Sequence, residues 1–279
     1  MNAVLPDRLL GVWAHPDDET YLSAALMRRV VAAGGHVTVV SATRGERGGD
    51  AAVAGPRLAA RREHELLAAM AELGVTDVRV LGHPDGSCAV RDPEHAADEV
   101  TAILRDVRPD VVVTFGPDGI TGHPDHVAVG WWTTLAVRRL AESPQLLYAT
   151  MVRDFVDRHR RRYPELPLTV EGDPVAVDAT SLALRIVPSP DERRRKRAAL
   201  TAHRSQTEPL ISLVGHDRLH DWWIDETFRE PTTSERLAEG HGVSTTSPDV
   251  LQASAPALAH SGTTSGRTGD HPIENRTDR

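Results

Sequence analysis

Two short segments carry the groups in this chain best suited to metal and acid–base chemistry: His15-Pro16-Asp17-Asp18 and His123-Pro124-Asp125-His126. If a helical turn starts at each proline, a position that suits proline, residues three apart share a face. His15 then pairs with Asp18, and His123 with His126. Imidazole and carboxylate donors without thiolate suit a zinc ion and leave Fe(II), Co(II) and Mn(II) open. A catalytic zinc needs three protein ligands and one open position. The two segments together offer more groups than that, which leaves some for proton transfer. Each segment alone has a plainer reading, since Asp17 or Asp18 can cap a helix and His-Pro-Asp suits a turn. The metal reading gains only if the fold brings the two segments together.

The elements around them predict that it does. Apolar runs at 9–14, 37–42, 78–81 and 111–115 read as buried parallel strands. Between them, 19–33, 56–73 and 93–107 read as helices, the first two closed by Gly34-Gly35 and Gly74. A further helix is expected over 124–141 and a strand over 146–152. Strand–helix alternation of this kind predicts an α/β fold with a doubly wound, mostly parallel sheet between helical layers. In a sheet ordered 3-2-1-4, strands 1 and 4 flank the point where strand order reverses and a crevice opens. His15, Asp17, Asp18, His123, Asp125 and His126 all follow those two strands, so topology lets them converge. A third copy, His83-Pro84-Asp85-Gly86, follows strand 3, two positions away. His83 there reads as turn chemistry, while Asp85 remains within reach of a substrate.

Composition narrows the function classes. With 32 basic and 40 acidic residues the formal net charge is −8, which argues against a nucleic-acid partner. No apolar run approaches the ~20 residues of a membrane span, and the first residues lack a basic-then-apolar signal pattern, so a cytoplasmic protein is expected. Cys88 is the only cysteine, which excludes internal disulfides and thiolate-rich metal sites; it reads as a packed residue rather than a nucleophile. Lys196, the only lysine, sits in an arginine run, so no phosphate-binding Gly-rich loop with its lysine is present. A magnesium-dependent phosphohydrolase using an Asp after strand 1 is therefore the weaker enzyme class, and a non-enzymatic binding module weaker still. Of Trp131-Trp132 and Trp222-Trp223, adjacent pairs, at most one member each is expected to face the core. From about residue 153 the pattern loosens, apart from a helix over 191–203. Beyond Glu230 the chain turns to small and polar residues without periodicity. The expected division is a domain over 1–235 and a loose tail over 236–279, and removal of 241–279 should leave folding and turnover near normal.

At these motifs the chain resembles the LmbE-like/PIG-L family of zinc-dependent de-N-acetylases. Thr43-Arg44-Gly45-Glu46, Arg62 and Glu65 ahead of Leu73-Gly74-Val75, Pro84-Asp85-Gly86 and Ala202-His203-Arg204-Ser205-Gln206 carry the resemblance further, over about residues 10 to 206. The resemblance implies a Rossmann-like domain that hydrolyses an N-acyl group, commonly on an N-acetylglucosamine unit. Carried over motif by motif, it makes His15, Asp18 and His126 the ligands of Zn2+. It makes Asp17 the general base, His123 the group that stabilises the oxyanion or assists as an acid, and Asp125 the residue that orients His123. Arg62 and Asp85 fall where relatives contact the sugar or its substituent, and His203 and Gln206 are weaker candidates. Some relatives carry a Tyr two residues before the first histidine of the second motif, where this chain has Thr121. The implied partner is a small N-acetylated amino sugar, with self-association left open. An amidase for a larger acyl group, such as a thiol-conjugate amide, is the alternative within the same family.

Overall fold

The computed structural model describes residues 5–49, 54–164 and 166–238, with the side chains of 220–222 left aside. Its first half is the expected alternation: β1 (Arg8–Trp13), α1 (Asp18–Ala32), β2 (His36–Thr43), α2 (Pro56–Leu73), β3 (Asp77–His83), α3 (Pro93–Val107), β4 (Val111–Phe115), α4 (Pro124–Arg138) and β5 (Gln145–Ala149). The second half holds β6 (Met151–Val152), α5 (Arg153–Arg162), β7 (Ala176–Val177), β8 (Leu184–Ile186), α6 (Pro190–Ala202), α7 (Arg204–Val214), α8 (His216–Trp222), β9 (Glu226–Arg229) and α9 (Thr233–Leu237). Seven strands form one sheet in the order β3-β2-β1-β4-β5-β9-β8. The first five pair in parallel, as the buried apolar runs require, while β9 joins antiparallel to β5 and β8. The antiparallel extension was not expected. Strands of three and four residues are too short to stand out as apolar runs. α9 crosses the expected domain boundary at 235, and from residue 239 the expected tail lies outside the described residues.

β1 and β4 are neighbours, and the chain leaves them toward opposite edges of the sheet, which sets the crevice at their carboxyl ends. Trp13 and Phe115 close the floor there in an edge-to-face contact of 5.1 Å. α4 packs against both strands and α3, so Trp131 and Trp132 are both buried, against the expectation of one. Gly130 lets α4 approach: a Cβ at this position would stand 2.6 Å from the Phe115 carbonyl oxygen. Gly130→Ala is therefore expected to cost about 1–3 kcal/mol, read as a lower denaturant midpoint with an unchanged slope.

α1, which starts directly after the first histidine segment, is anchored from the far half of the chain. Glu226 at the start of β9 accepts from the peptide N–H groups of Ala25 and Leu26, and its Oε1 lies 2.8 Å from Lys196 Nζ. Lys196 also donates to the Tyr21 carbonyl. The lone lysine is thus buried and paired inside the core. Arg29 on α1 makes a two-pronged bond to Glu192, which also closes the capping box of α6 with Ser189. Arg29 and the Ser189 N–H hold the Glu192 carboxyl down at about 2 against its partial burial. Because the folded value lies below the unfolded one, this stabilisation is present above about pH 4.5 and is lost as pH falls through about 2. Glu192→Gln is accordingly expected to lower stability by on the order of 1 kcal/mol at pH 7. The gap from wild type should shrink in denaturation curves taken from pH 5 downward.

Candidate metal centre

The β4–α4 junction follows the sequence reading. Pro124 is the first residue of α4 and His123 its N-cap, with His123 Nδ1 accepting from the Asp125 N–H at 3.1 Å. The β1–α1 junction does not. Pro16 precedes the helix, α1 begins at Asp18, and Asp17 bridges them at φ 126°, ψ −29°, a conformation rare for any residue but glycine. His15 and Asp18 therefore meet through a turn rather than along a helix face. Asp18 Oδ2 accepts from the His15 N–H at 2.8 Å and lies 3.7 Å from His15 Nδ1.

Three donor atoms from the two junctions face one another. His15 Nδ1 stands 3.2 Å from His126 Nε2, and Asp18 Oδ1 stands 3.3 Å from the same nitrogen. Four ligands around a zinc ion at ~2.1 Å in a tetrahedron would stand about 3.4 Å apart, so this triangle has a fitting size. The outer nitrogens settle which atoms carry protons. His126 Nδ1 donates to the Gly119 carbonyl at 3.0 Å, with Thr121 Oγ1 at 3.1 Å. His15 Nε2 lies 3.1 Å from Asp85 and 3.2 Å from Asp125, so its proton is held there. The two inner nitrogens then face each other beside a carboxylate: His126 Nε2 presents its lone pair, and a cation between them would take the place of the proton that Asp125, Asp18 and Asp85 favour on His15. The donor set and its spacing fit a divalent metal ion. A nitrogen of His123 also lies within 4.8 Å of donors on His15 and His126, so the three rings form an alternative donor group.

The electrostatics sort the remaining groups. Burial, with help from Asp18 and Glu19, pushes the Asp17 carboxyl up to about 6, although Arg62 opposes it from 3.4 Å. Asp18 is held well below the usual carboxylate range by His126 and His15, which outweigh its burial. Burial lowers His123 to about 3, and the neighbouring His15 and His126 add to this. Its ring stays neutral, and because Nδ1 is an acceptor, the proton sits on Nε2. Burial also lowers His126 despite Asp18, whereas His15 is raised because Asp125, Asp18 and Asp85 outweigh its burial.

Several expected roles change at this level. The Asp125 carboxylate does not reach His123; it accepts from His15 Nε2 and from the N–H groups of Gly86 and Cys88. Its carboxylate thus meets the first histidine, while its peptide N–H donates to His123. Asp85, expected at the substrate, is 3% exposed. The loop after β3 folds inward, which sequence spacing did not show, and places Asp85 behind His15 with its Oδ2 on the Arg47 N–H. Arg62, expected at the sugar, is also 3% exposed; it donates to the Pro16 and Gly45 carbonyls beside Asp17. His83 lies buried at the end of β3, 3.2 Å from Glu99 and away from the donor triangle. Gln206 is half-buried with its amide near Gly48, while Ser205 is bound through N–H and hydroxyl to Glu65 on α2. Burial, then Asp125 and Asp85, push the Cys88 thiol up, in keeping with a packed and unreactive residue.

A cavity of about 410 Å³ is walled by Tyr21 of α1 and Ile120 of the β4–α4 loop and by Phe155, Tyr163 and Trp223 from the second half, and none of the donor residues lines it. Among the described residues no helix is long and apolar enough to cross a membrane.

The GlcNAc-PI de-N-acetylase (PIG-L) family profile matches residues 10–137. The 1D-myo-inositol 2-acetamido-2-deoxy-alpha-D-glucopyranoside deacetylase 2 of Catenulispora acidiphila is 34% identical over 243 residues, covering 72% of this chain and 80% of the relative. The 1D-myo-inositol 2-acetamido-2-deoxy-alpha-D-glucopyranoside deacetylase of Actinosynnema mirum is 36% identical over 236 residues, covering 74% and 83%. Among solved structures, the N,N'-diacetylchitobiose deacetylase from Pyrococcus horikoshii aligns with a TM-score of 0.55 at 20% identity, over 80% of this chain and 83% of that one; this likeness concerns the fold alone. The matched span holds both histidine segments and the strands that bring them together, so profile and geometry describe one unit: the chain belongs to the GlcNAc-PI de-N-acetylase (PIG-L) family.

Proposed function

We propose that this protein is a zinc-dependent hydrolase that removes the N-acetyl group from an N-acetylglucosamine-type substrate. The observation that carries the reading is the pair of inner ring nitrogens, His15 Nδ1 and His126 Nε2, facing each other 3.2 Å apart beside Asp18, with the Asp17 carboxyl at the same junction. His15, Asp18 and His126 would hold the zinc ion. When bound there, zinc supplies Lewis acidity that makes water nucleophilic at neutral pH and polarises an acyl carbonyl. Asp17, poised near neutrality by burial, takes the proton from the attacking water as its oxygen adds to the acyl carbon. His123, neutral with its proton on Nε2, donates to the oxygen that becomes negative. Collapse of that adduct breaks the C–N bond, and the Asp17 proton goes to the departing nitrogen. The products are acetate and a free amino sugar.

The relatives are named for the deacetylation of a 1D-myo-inositol 2-acetamido-2-deoxy-alpha-D-glucopyranoside, which makes an α-linked N-acetylglucosaminide the first compound to try. Because Lys196 is buried against Glu226, it offers no phosphate contact, which counts against the phosphohydrolase reading. The test is a mass-spectrometric screen of the zinc-loaded enzyme against N-acetylated amino sugars and larger N-acyl thiol conjugates. Release of acetate with the free amine from an amino sugar is expected. Turnover confined to the thiol conjugates would move the protein to the amidase reading, and turnover of phosphate esters alone would refute both.

A further inference from the structure

The strained backbone at Asp17 is held by a pair of buried side chains that the proposed mechanism leaves unused. A non-glycine residue at φ 126° persists only where its surroundings over-determine it. The Asp17 carbonyl accepts from the N–H groups of Thr20 and Tyr21, the start of α1. Its N–H donates to Glu19 Oε2 at 3.0 Å. Glu19 is 0% exposed, and its other oxygen takes the Thr20 hydroxyl at 2.6 Å and His203 Nε2 at 2.9 Å. His203 is also 0% exposed and comes from the α6–α7 junction, 184 residues along the chain from Glu19. Its backbone is fixed there, since its carbonyl accepts from Gln206, from the Thr207 N–H and from the Thr207 hydroxyl. The ring's other nitrogen, Nδ1, has no hydrogen-bond partner among the described residues. The hydrogen bonding of this imidazole is thus directed wholly at Glu19 and Thr20.

We propose that His203 and Glu19 are positioning residues for the general base. The imidazole fixes the Glu19 carboxylate, the carboxylate fixes the Asp17 N–H, and the peptide so held aims the Asp17 carboxyl into the site. Neither side chain touches a reacting atom. The chemistry expected of the first half of the chain then depends on a histidine from the second half, which explains why the α6–α7 segment is built into the active unit. Its neighbour Ser205 ties the same junction to Glu65 on α2.

The inference rests on Asp17 as the base, and the test separates the two claims. His203→Met fills the ring's space but cannot donate to Glu19, whereas His203→Gln retains a donor. His203→Met is expected to lower kcat by roughly 10–100-fold, the usual range for a group that supports a functional one. KM and the zinc content per chain should stay within twofold, and His203→Gln should recover most of the loss. In an Asp17→Asn background, His203→Met should cost nothing further, because a residue that acts through Asp17 has nothing left to aim. Independently of activity, amide hydrogen exchange of residues 14–20 in the metal-free protein should quicken in His203→Met and stay slow in His203→Gln. If His203→Met does not fold, His203→Asn, whose amide is one bond shorter than that of glutamine, replaces it. Equal losses in the wild-type and Asp17→Asn backgrounds, or unchanged exchange at Asp17, would overturn the positioning role. Near-normal turnover of Asp17→Asn alone would instead overturn the base assignment, with the exchange data still deciding whether His203 holds this peptide.

Discussion

An Asp17→Asn enzyme is expected to keep its zinc, close to one per chain, and to lose roughly 10²–10⁴-fold in kcat, the contribution of a positioned general base. The substitution nearly conserves shape, and the hydrogen bond that holds this peptide runs from the Asp17 N–H to Glu19, so the backbone has no reason to relax. What changes is the acceptor. Burial keeps the Asp17 carboxyl at about 6, with Arg62 3.4 Å away to limit the rise. An amide at the same place cannot take the proton. Asp18→Asn should behave differently, because the Asp18 carboxylate faces His15 Nδ1 and His126 Nε2 directly. Zinc affinity should fall first there, and activity should follow it. Equal loss of zinc in both variants, or near-normal kcat in Asp17→Asn at saturating metal, would show that the two carboxylates have been assigned the wrong way round.

The half of the fold that brings the histidine segments together was legible in the sequence for a physical reason. Parallel strands buried on both faces appear as unbroken apolar runs, and the runs ending at Trp13 and Phe115 lead straight into chemistry-bearing loops. Side-chain partnerships were much less legible. Asp125 sits next to a histidine in the chain but serves another 110 residues away, because the loop after β3 turns inward and supplies the N–H groups of Gly86 and Cys88 to the same carboxylate. The same inward turn moves Asp85 from the expected substrate wall to the back of His15. Pro16 looked like the start of a helix, yet the helix starts two residues later. Asp17 adopts a conformation for which no residue type in the segment is a signal. Glu19 and His203 carried only a weak trace, a late histidine in a motif of unassigned role, since a contact across most of the chain leaves no spacing to read. Strands β8 and β9 were missed because a three- or four-residue strand contains too few positions to show a period.

The two histidines of the second segment should separate cleanly in metal analysis. His126→Ala removes one of three proposed ligands, so zinc affinity should fall by more than the roughly 10–100-fold typical when only a supporting partner is lost. Activity should recover partly at high zinc, if the remaining His15 and Asp18 still hold the ion. His126 has the features of a ligand: its Nδ1 proton is fixed on the Gly119 carbonyl, its ring stacks on Phe115 at 4.2 Å, and its Nε2 lone pair faces the other donors. His123 has a different arrangement. Its Nδ1 is occupied by the Asp125 N–H at the helix N-cap, and burial keeps the ring neutral with the remaining proton on Nε2. A nitrogen that carries a proton serves as a donor rather than as a ligand. His123→Ala should therefore retain zinc and lose roughly 10²–10³-fold in kcat, the cost of removing one oxyanion donor. The three rings lie close enough to form an all-histidine site, so the reverse outcome has a definite structural meaning. Zinc lost from His123→Ala but kept in His126→Ala would make His123 a ligand and would require its Nε2 proton to leave on metal binding.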